Sequence, residues 1–140
     1  MLPAIHVSLD VADLERSLAF YTAFFGEPVK RKPDYAKFVG RSPEMHLALQ
    51  PAASALARPG SLSHLGIRVD SIDEVRRRHA ALRERGLAPG AIEREDCCYA
   101  LQEKFRLADP DGNRWEIYAV LEDREAAASC GGEIACCREA

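Results

Sequence analysis

The strongest constraint on this chain is an internal repeat of period 58. Ile5-His6-Val7-Ser8-Leu9-Asp10-Val11 alternates apolar and polar residues, the periodicity of a β-strand, and His64-Leu65-Gly66-Ile67-Arg68-Val69 does the same. His6 aligns with His64, Leu9 with Ile67, Val11 with Val69 and Asp13 with Ser71, each pair 58 residues apart (64 − 6, 67 − 9, 69 − 11, 71 − 13). A helix-start signal follows each strand. Asp13 is an N-cap for a helix running to Phe25, with Leu14, Leu18, Tyr21 and Phe25 at helical spacing and Gly26 and Pro28 ending it. Ser71-Ile72-Asp73-Glu74 reads as a capping box opening a second helix to about Arg85, with Gly86 at its C′ position.

Further strands are expected at Ala36–Val39 and Met45–Leu49 in the first copy. The second copy should carry them near Cys98–Leu101, Lys104–Ala108 and Arg114–Val120, with the turn Asp109-Pro110-Asp111-Gly112 before the last. The chain therefore reads as α+β: two tandem βαβββ repeats, 4–50 and 61–120, joined by a Pro/Ala/Ser-rich linker, 51–60, and forming one domain over 1–120. Residues 121–140, rich in Ala, Glu, Gly and Cys, read as a flexible C-terminal tail.

Strand alternation also sorts the polar residues. Val7, Leu9 and Val11 share one face, opposite His6, Ser8 and Asp10; Leu65, Ile67 and Val69 lie opposite His64, Gly66 and Arg68. In the last strand Glu116 and Tyr118 alternate with Trp115 and Ile117. If the apolar faces pack under the helices, His6, His64 and Glu116 point into one concave pocket. Two imidazoles and a carboxylate leave a divalent ion with open positions, the donor set of non-haem Fe(II) oxygenases, which also suits Zn, Ni or Mn. His46 is expected as a sheet residue or a fourth donor, and His79 as solvent-facing. Trp115, Phe20, Phe24 and Phe25 read as core.

Net charge is −3, so no nucleic-acid or membrane-surface partner is indicated. With no long apolar run and no signal peptide, a soluble cytoplasmic protein is expected. Five cysteines, arranged as Cys97-Cys98, Cys130 and Cys136-Cys137, make a poor disulfide framework and suit free thiols. Vicinal thiols are good ligands for soft metals and metalloids.

The duplicated pattern, SHLGIRV at Ser63–Val69 and DPDGNRWEIY at Asp109–Tyr118, resembles the vicinal oxygen chelate (glyoxalase/bleomycin resistance/dioxygenase) superfamily over roughly residues 4–120. KPDYAKF at Lys32–Phe38, LSHLGIRV at Leu62–Val69 and the run from Asp96 to Tyr118 are similar to the organoarsenical C–As lyase family and its cadmium-induced relatives. That resemblance implies a curved mixed sheet around a metal-binding cavity. It also implies an Fe(II)-dependent dioxygenase that uses O₂ as co-substrate and releases arsenite from trivalent organoarsenicals such as methylarsenite and reduced aromatic arsenicals. It makes His6, His64 and Glu116 the metal ligands, with Ni, Zn, Co or Mn as other possible occupants. Cys97 and Cys98 become the substrate thiols. Tyr99 and Lys104 flank that pair and are secondary substrate-site candidates, although for each alone packing (Tyr99) and solvation (Lys104) are the plainer readings. A homodimer is a further expectation of the superfamily. The alternatives are a glyoxalase-like lyase or thiol transferase using Zn, Ni or Mn, which needs no vicinal thiols, and a non-catalytic cadmium- or arsenic-binding protein.

Overall fold

The computed structural model describes residues 4–41, 44–53, 62–96 and 100–123. Each repeat forms its own four-stranded mixed sheet. In the first repeat β1 (Ile5–Val11) leads to α1 (Leu14–Phe25), then β2 (Lys30–Lys32), β3 (Tyr35–Arg41) and β4 (Glu44–Pro51). The second repeats the order with β5 (Leu65–Arg68), α2 (Ile72–Glu84), β6 (Glu93–Asp96), β7 (Ala100–Ala108) and β8 (Arg114–Asp123). The sheet orders are β1-β4-β3-β2 and β5-β8-β7-β6, so the first strand of each repeat pairs in parallel with its last. The expected duplication is thus present, as two sheets rather than one continuous one.

Local signals explain the helix ends. Asp13 accepts a hydrogen bond from the backbone N–H of Arg16, and Gly26 closes α1 at φ 89°. Ser71 accepts from the N–H of Glu74, and Gly86 lies at φ 85° after α2. Only half of the expected capping box forms, because the Glu74 carboxylate turns to Arg77 and Arg78 instead. β2 and β6 escape a reading by apolar alternation, since they are the charged edge segments Lys-Arg-Lys and Glu-Arg-Glu-Asp. The two strand pieces expected between residues 98 and 108 are one strand, β7, with a register shift at Leu101/Gln102.

Burial follows the predicted faces. Val11, Leu47, Leu49, Phe38, Ile67 and Ile117 all join one buried cluster beneath the helices. The repeats share this core. Tyr21 of α1 stacks on Phe25 and meets Trp115 of β8 edge-on. Its hydroxyl donates to Asp109 Oδ2 at 2.7 Å and accepts from Trp115 Nε1 at 3.1 Å. Asp109 also accepts from Asp111 N, Asn113 N and Asn113 Nδ2, which shapes the turn into β8. Asp111 reaches the first repeat through Ala12 N and Ser17 Oγ. The DPDGN turn is therefore a polar staple between repeats. His79 is not the plain solvent-facing residue expected: it is half-buried, 2.8 Å from the Gly90 carbonyl and edge-on to Phe105. Among the described residues no helix is long and apolar enough to cross a membrane.

Candidate metal centre

β8 places Glu116 opposite the core. Trp115 and Ile117 point into the helix layer, so Glu116 and Tyr118 face the other way, beside Gly66 and Arg68 of β5 in parallel register. His64 precedes β5 directly, and its Nε2 lies 3.5 Å from Glu116 Oε2. Its Nδ1 is 3.0 Å from Ser63 Oγ, an interaction that orients the ring and leaves Nε2 turned toward Glu116. Glu116 is 5% exposed, and its Oε2 is buried with no hydrogen-bond partner. A buried carboxylate oxygen left in this state calls for a cation or a donor. Gly66 lets the Tyr118 ring pack closely against β5, since a Cβ there would meet the ring at 3.3 Å.

The other Glu116 oxygen is engaged. Lys104 Nζ lies 3.0 Å from Oε1 and also contacts the Glu95 carboxylate. Lys104 is 1% exposed, so the solvated lysine expected from sequence is instead a buried cation between two carboxylates. The reason is register: Arg106, Lys104 and Gln102 of β7 share the face of Glu116, and β6 brings Glu93 and Glu95 to that face. Arg106 Nε stands 3.7 Å from Glu116 Oε2 and Nη1 3.6 Å from Glu93. Sequence reading missed Glu95 and Arg106. Their signal was their register with Lys104 and Glu116, which required β6 to be recognised.

His6 lies on the predicted face of β1, in register with His46 of β4, and is exposed. His46 stands 3.9 Å from Glu44. Among the described residues no three His, Cys, Asp or Glu side chains are grouped so as to hold a metal ion. The structure thus brings His64 and Glu116 together and does not gather His6 or His46 with them. Cys97, Cys98 and Tyr99 lie outside the described residues, as do Cys130, Cys136, Cys137 and the tail from residue 124. Their flanks are described: β6 ends at Asp96 and β7 begins at Ala100. The contact from Lys104 to Glu95 and Glu116 therefore links the strand that leads into the cysteine pair with the candidate ligand.

The donor set fits a divalent ion in two of its three members: an imidazole nitrogen whose ring is held from behind by Ser63, and a buried carboxylate oxygen that accepts no hydrogen bond.

Comparison with known proteins identifies the family and the fold. The model of the glyoxalase/bleomycin resistance protein/dioxygenase superfamily matches residues 4–117. A protein of Bacillus sp. (strain MD1) named trivalent organoarsenical cleaving enzyme is 44% identical over 115 residues, covering 81% of this chain and 70% of its own length. The cadmium-induced protein CadI of Mycobacterium tuberculosis is 40% identical over 129 residues, covering 89% and 81%. A glyoxalase/bleomycin resistance protein/dioxygenase structure from Alicyclobacillus acidocaldarius shares the fold, with a TM-score of 0.70 at 18% identity, covering 86% of this chain and 92% of its own. With its duplicated βαβββ architecture and a family match spanning both repeats, the chain belongs to the glyoxalase/bleomycin resistance protein/dioxygenase superfamily.

Proposed function

We propose that this protein cleaves the carbon–arsenic bond of trivalent organoarsenicals, with Fe(II) held by His64, Glu116 and His6 and with Cys97 and Cys98 as the substrate thiols. The observation that carries the metal half is the buried Glu116 Oε2, which accepts no hydrogen bond and faces His64 Nε2 at 3.5 Å, with Arg106 Nε at 3.7 Å. The names of relatives at 37–44% identity, trivalent organoarsenical cleaving enzymes, support the substrate half. Ni, Zn, Co or Mn are the other ions this donor set admits.

The chain's own residues divide the work. Ser63 orients the His64 ring so that Nε2 is the donor atom. Lys104 holds Glu116 from the Oε1 side, and Oε2, with Arg106 Nε at 3.7 Å and no hydrogen bond, is the oxygen turned to His64. Gly66 admits the Tyr118 ring against β5 beside Glu116. Arsenic carrying one organic group has two exchangeable positions, and the two thiolates of Cys97 and Cys98 fill both; the second As–S bond forms intramolecularly, so no second association cost arises. Fe(II), when bound, supplies the activation of dioxygen. Arsenite is the arsenic product.

The test is arsenic speciation. Protein reconstituted anaerobically with Fe(II) is given methylarsenite, then O₂, and arsenic species are separated by chromatography with elemental detection. Wild type should release arsenite, whereas Cys97→Ser/Cys98→Ser and Glu116→Ala should not. Folded, iron-loaded protein that releases no arsenite from several organoarsenicals refutes the lyase reading. Retained arsenic binding in that case would favour sequestration, the role compatible with a cadmium-induced relative. Full activity in the double cysteine variant would refute the thiol assignment.

A further inference from the structure

The first-repeat sheet carries an open polar cleft on the His6 face of β1, lined by residues to which the metal chemistry assigns no role. It measures about 710 Å³ and is lined by Asp10 of β1, Gln50 and Pro51 of β4, Lys30 and Lys32 of β2, Asp34 and Tyr35 of the β2–β3 hairpin, and Ala53. The cleft opens to solvent, and its four charged lining residues are exposed.

Its cations are placed against the local interest of the strands. Lys30 lies directly opposite Lys37, and Lys32 opposite Tyr35, so lysines crowd one face of a three-residue edge strand. Like charges facing each other across strands are destabilising. None of Lys30, Lys32 and Lys37 forms an ion pair among the described residues, whereas Arg31, pointing to the other face, is paired with Glu15 at 2.7 Å. Carboxylates meet the same cavity at Asp10 and Asp34, and Gln50 Nε2 donates to Asp10 Oδ1 at 2.9 Å.

We infer that this cleft binds a small zwitterion of amino-acid or short-peptide type. Lys30 and Lys32 receive its carboxylate, and Asp10 and Asp34 receive its ammonium. The charge balance selects this class. Two ammonium and two carboxylate groups line the cavity, so a simple polyanion such as phosphate gains little net attraction, while a molecule carrying both charges is complementary at both ends. The occupant shares a face with His6, because Asp10 lies four residues along β1, roughly 13 Å away at strand rise. The inference is independent of the metal reading.

Triglycine, succinate and inorganic phosphate are titrated separately into isotope-labelled protein, and amide shifts are followed by NMR. Triglycine should shift Lys30–Tyr35, Asp10 and Gln50 saturably, and more tightly than either anion does. Lys30→Ala/Lys32→Ala should weaken it roughly tenfold or more, as expected for loss of charge-assisted hydrogen bonds. Arg31→Ala, on the opposite face, should leave it unchanged. Asp10→Asn is decisive: it weakens a zwitterion but strengthens a simple anion. Preferential binding of phosphate or succinate, tighter binding to Asp10→Asn, or no saturable shift with triglycine each overturns the inference. Retention of the wild-type spectrum outside the cleft establishes that the variants fold.

Discussion

Replacing Tyr21 with Phe removes one oxygen from the junction between the repeats. That oxygen donates to the buried Asp109 carboxylate at 2.7 Å and accepts from Trp115 Nε1 at 3.1 Å. A hydrogen bond to a charged group contributes about 1.5–3 kcal/mol, and stranding the buried indole N–H adds about 1 kcal/mol more, for a loss of roughly 2.5–4 kcal/mol. A domain of this size loses roughly 4 °C of Tm per kcal/mol, so thermal unfolding at pH 7 should fall by roughly 10–16 °C. A second signature separates this hydroxyl from mere packing. Burial, then the hydrogen bond and charge of Asp109, hold the Tyr21 phenol protonated far above its ordinary value of 10.0. Above pH 10 the unfolded chain releases this proton and the folded chain keeps it. Stability therefore falls with rising pH, by up to about 1.4 kcal/mol per pH unit for this group. Tyr21→Phe lacks the group, so the gap between wild type and variant should narrow from pH 10 upward. Denaturant melts at pH 7, 10 and 11 measure both effects. A loss below about 0.5 kcal/mol, or a gap constant through pH 11, would refute the staple.

Three other perturbations have defined outcomes. Lys104→Met leaves Glu116 and Glu95 without their shared cation, and denaturant unfolding should show a loss of about 3 kcal/mol; a variant as stable as wild type contradicts the buried charge chain. Ser63→Ala should lower Co(II) affinity by about tenfold in a competition titration with little change in Tm, and Ser63→Thr should restore it. Glu74, whose carboxyl is held below its ordinary 4.5 by Arg78 and then Arg77, should lose about 0.5 kcal/mol on change to Gln. Its folded value is depressed, so that contribution is present above pH 4.5 and disappears as pH falls through the folded value. Melts at pH 7 and pH 3 should show a smaller difference at the lower pH.

The repeat, both helices and the strand faces of His6 and Glu116 were legible because they rest on local periodicity and capping. Asp13, Ser71, Gly26 and Gly86 mark helix ends by their own chemistry. The charged edge strands were hidden, since Lys30–Lys32 and Glu93–Asp96 carry no apolar alternation and exist only by pairing with β3 and β7. The environment of Lys104 depended on that pairing. A lysine looks solvated until β6 brings Glu95 against it. Asp109 and Asp111 read as turn residues, and their reach to Tyr21, Ala12 and Ser17 is a tertiary contact spanning most of the chain. For the metal site, alternation predicts which side His6, His64 and Glu116 occupy but carries no distance between sheets.

That distance is where the central claim is most exposed. Equilibrium dialysis of Co(II) against wild type, His6→Ala, His64→Ala and Glu116→Ala, with folding checked by circular dichroism, measures how many ions each chain holds and how tightly. One ion per wild-type chain, with affinity reduced at least about tenfold in all three variants, is the predicted result for a site drawn from both repeats. Wild-type affinity in His6→Ala, with loss confined to His64→Ala and Glu116→Ala, would contradict it and leave the second repeat alone as the metal site.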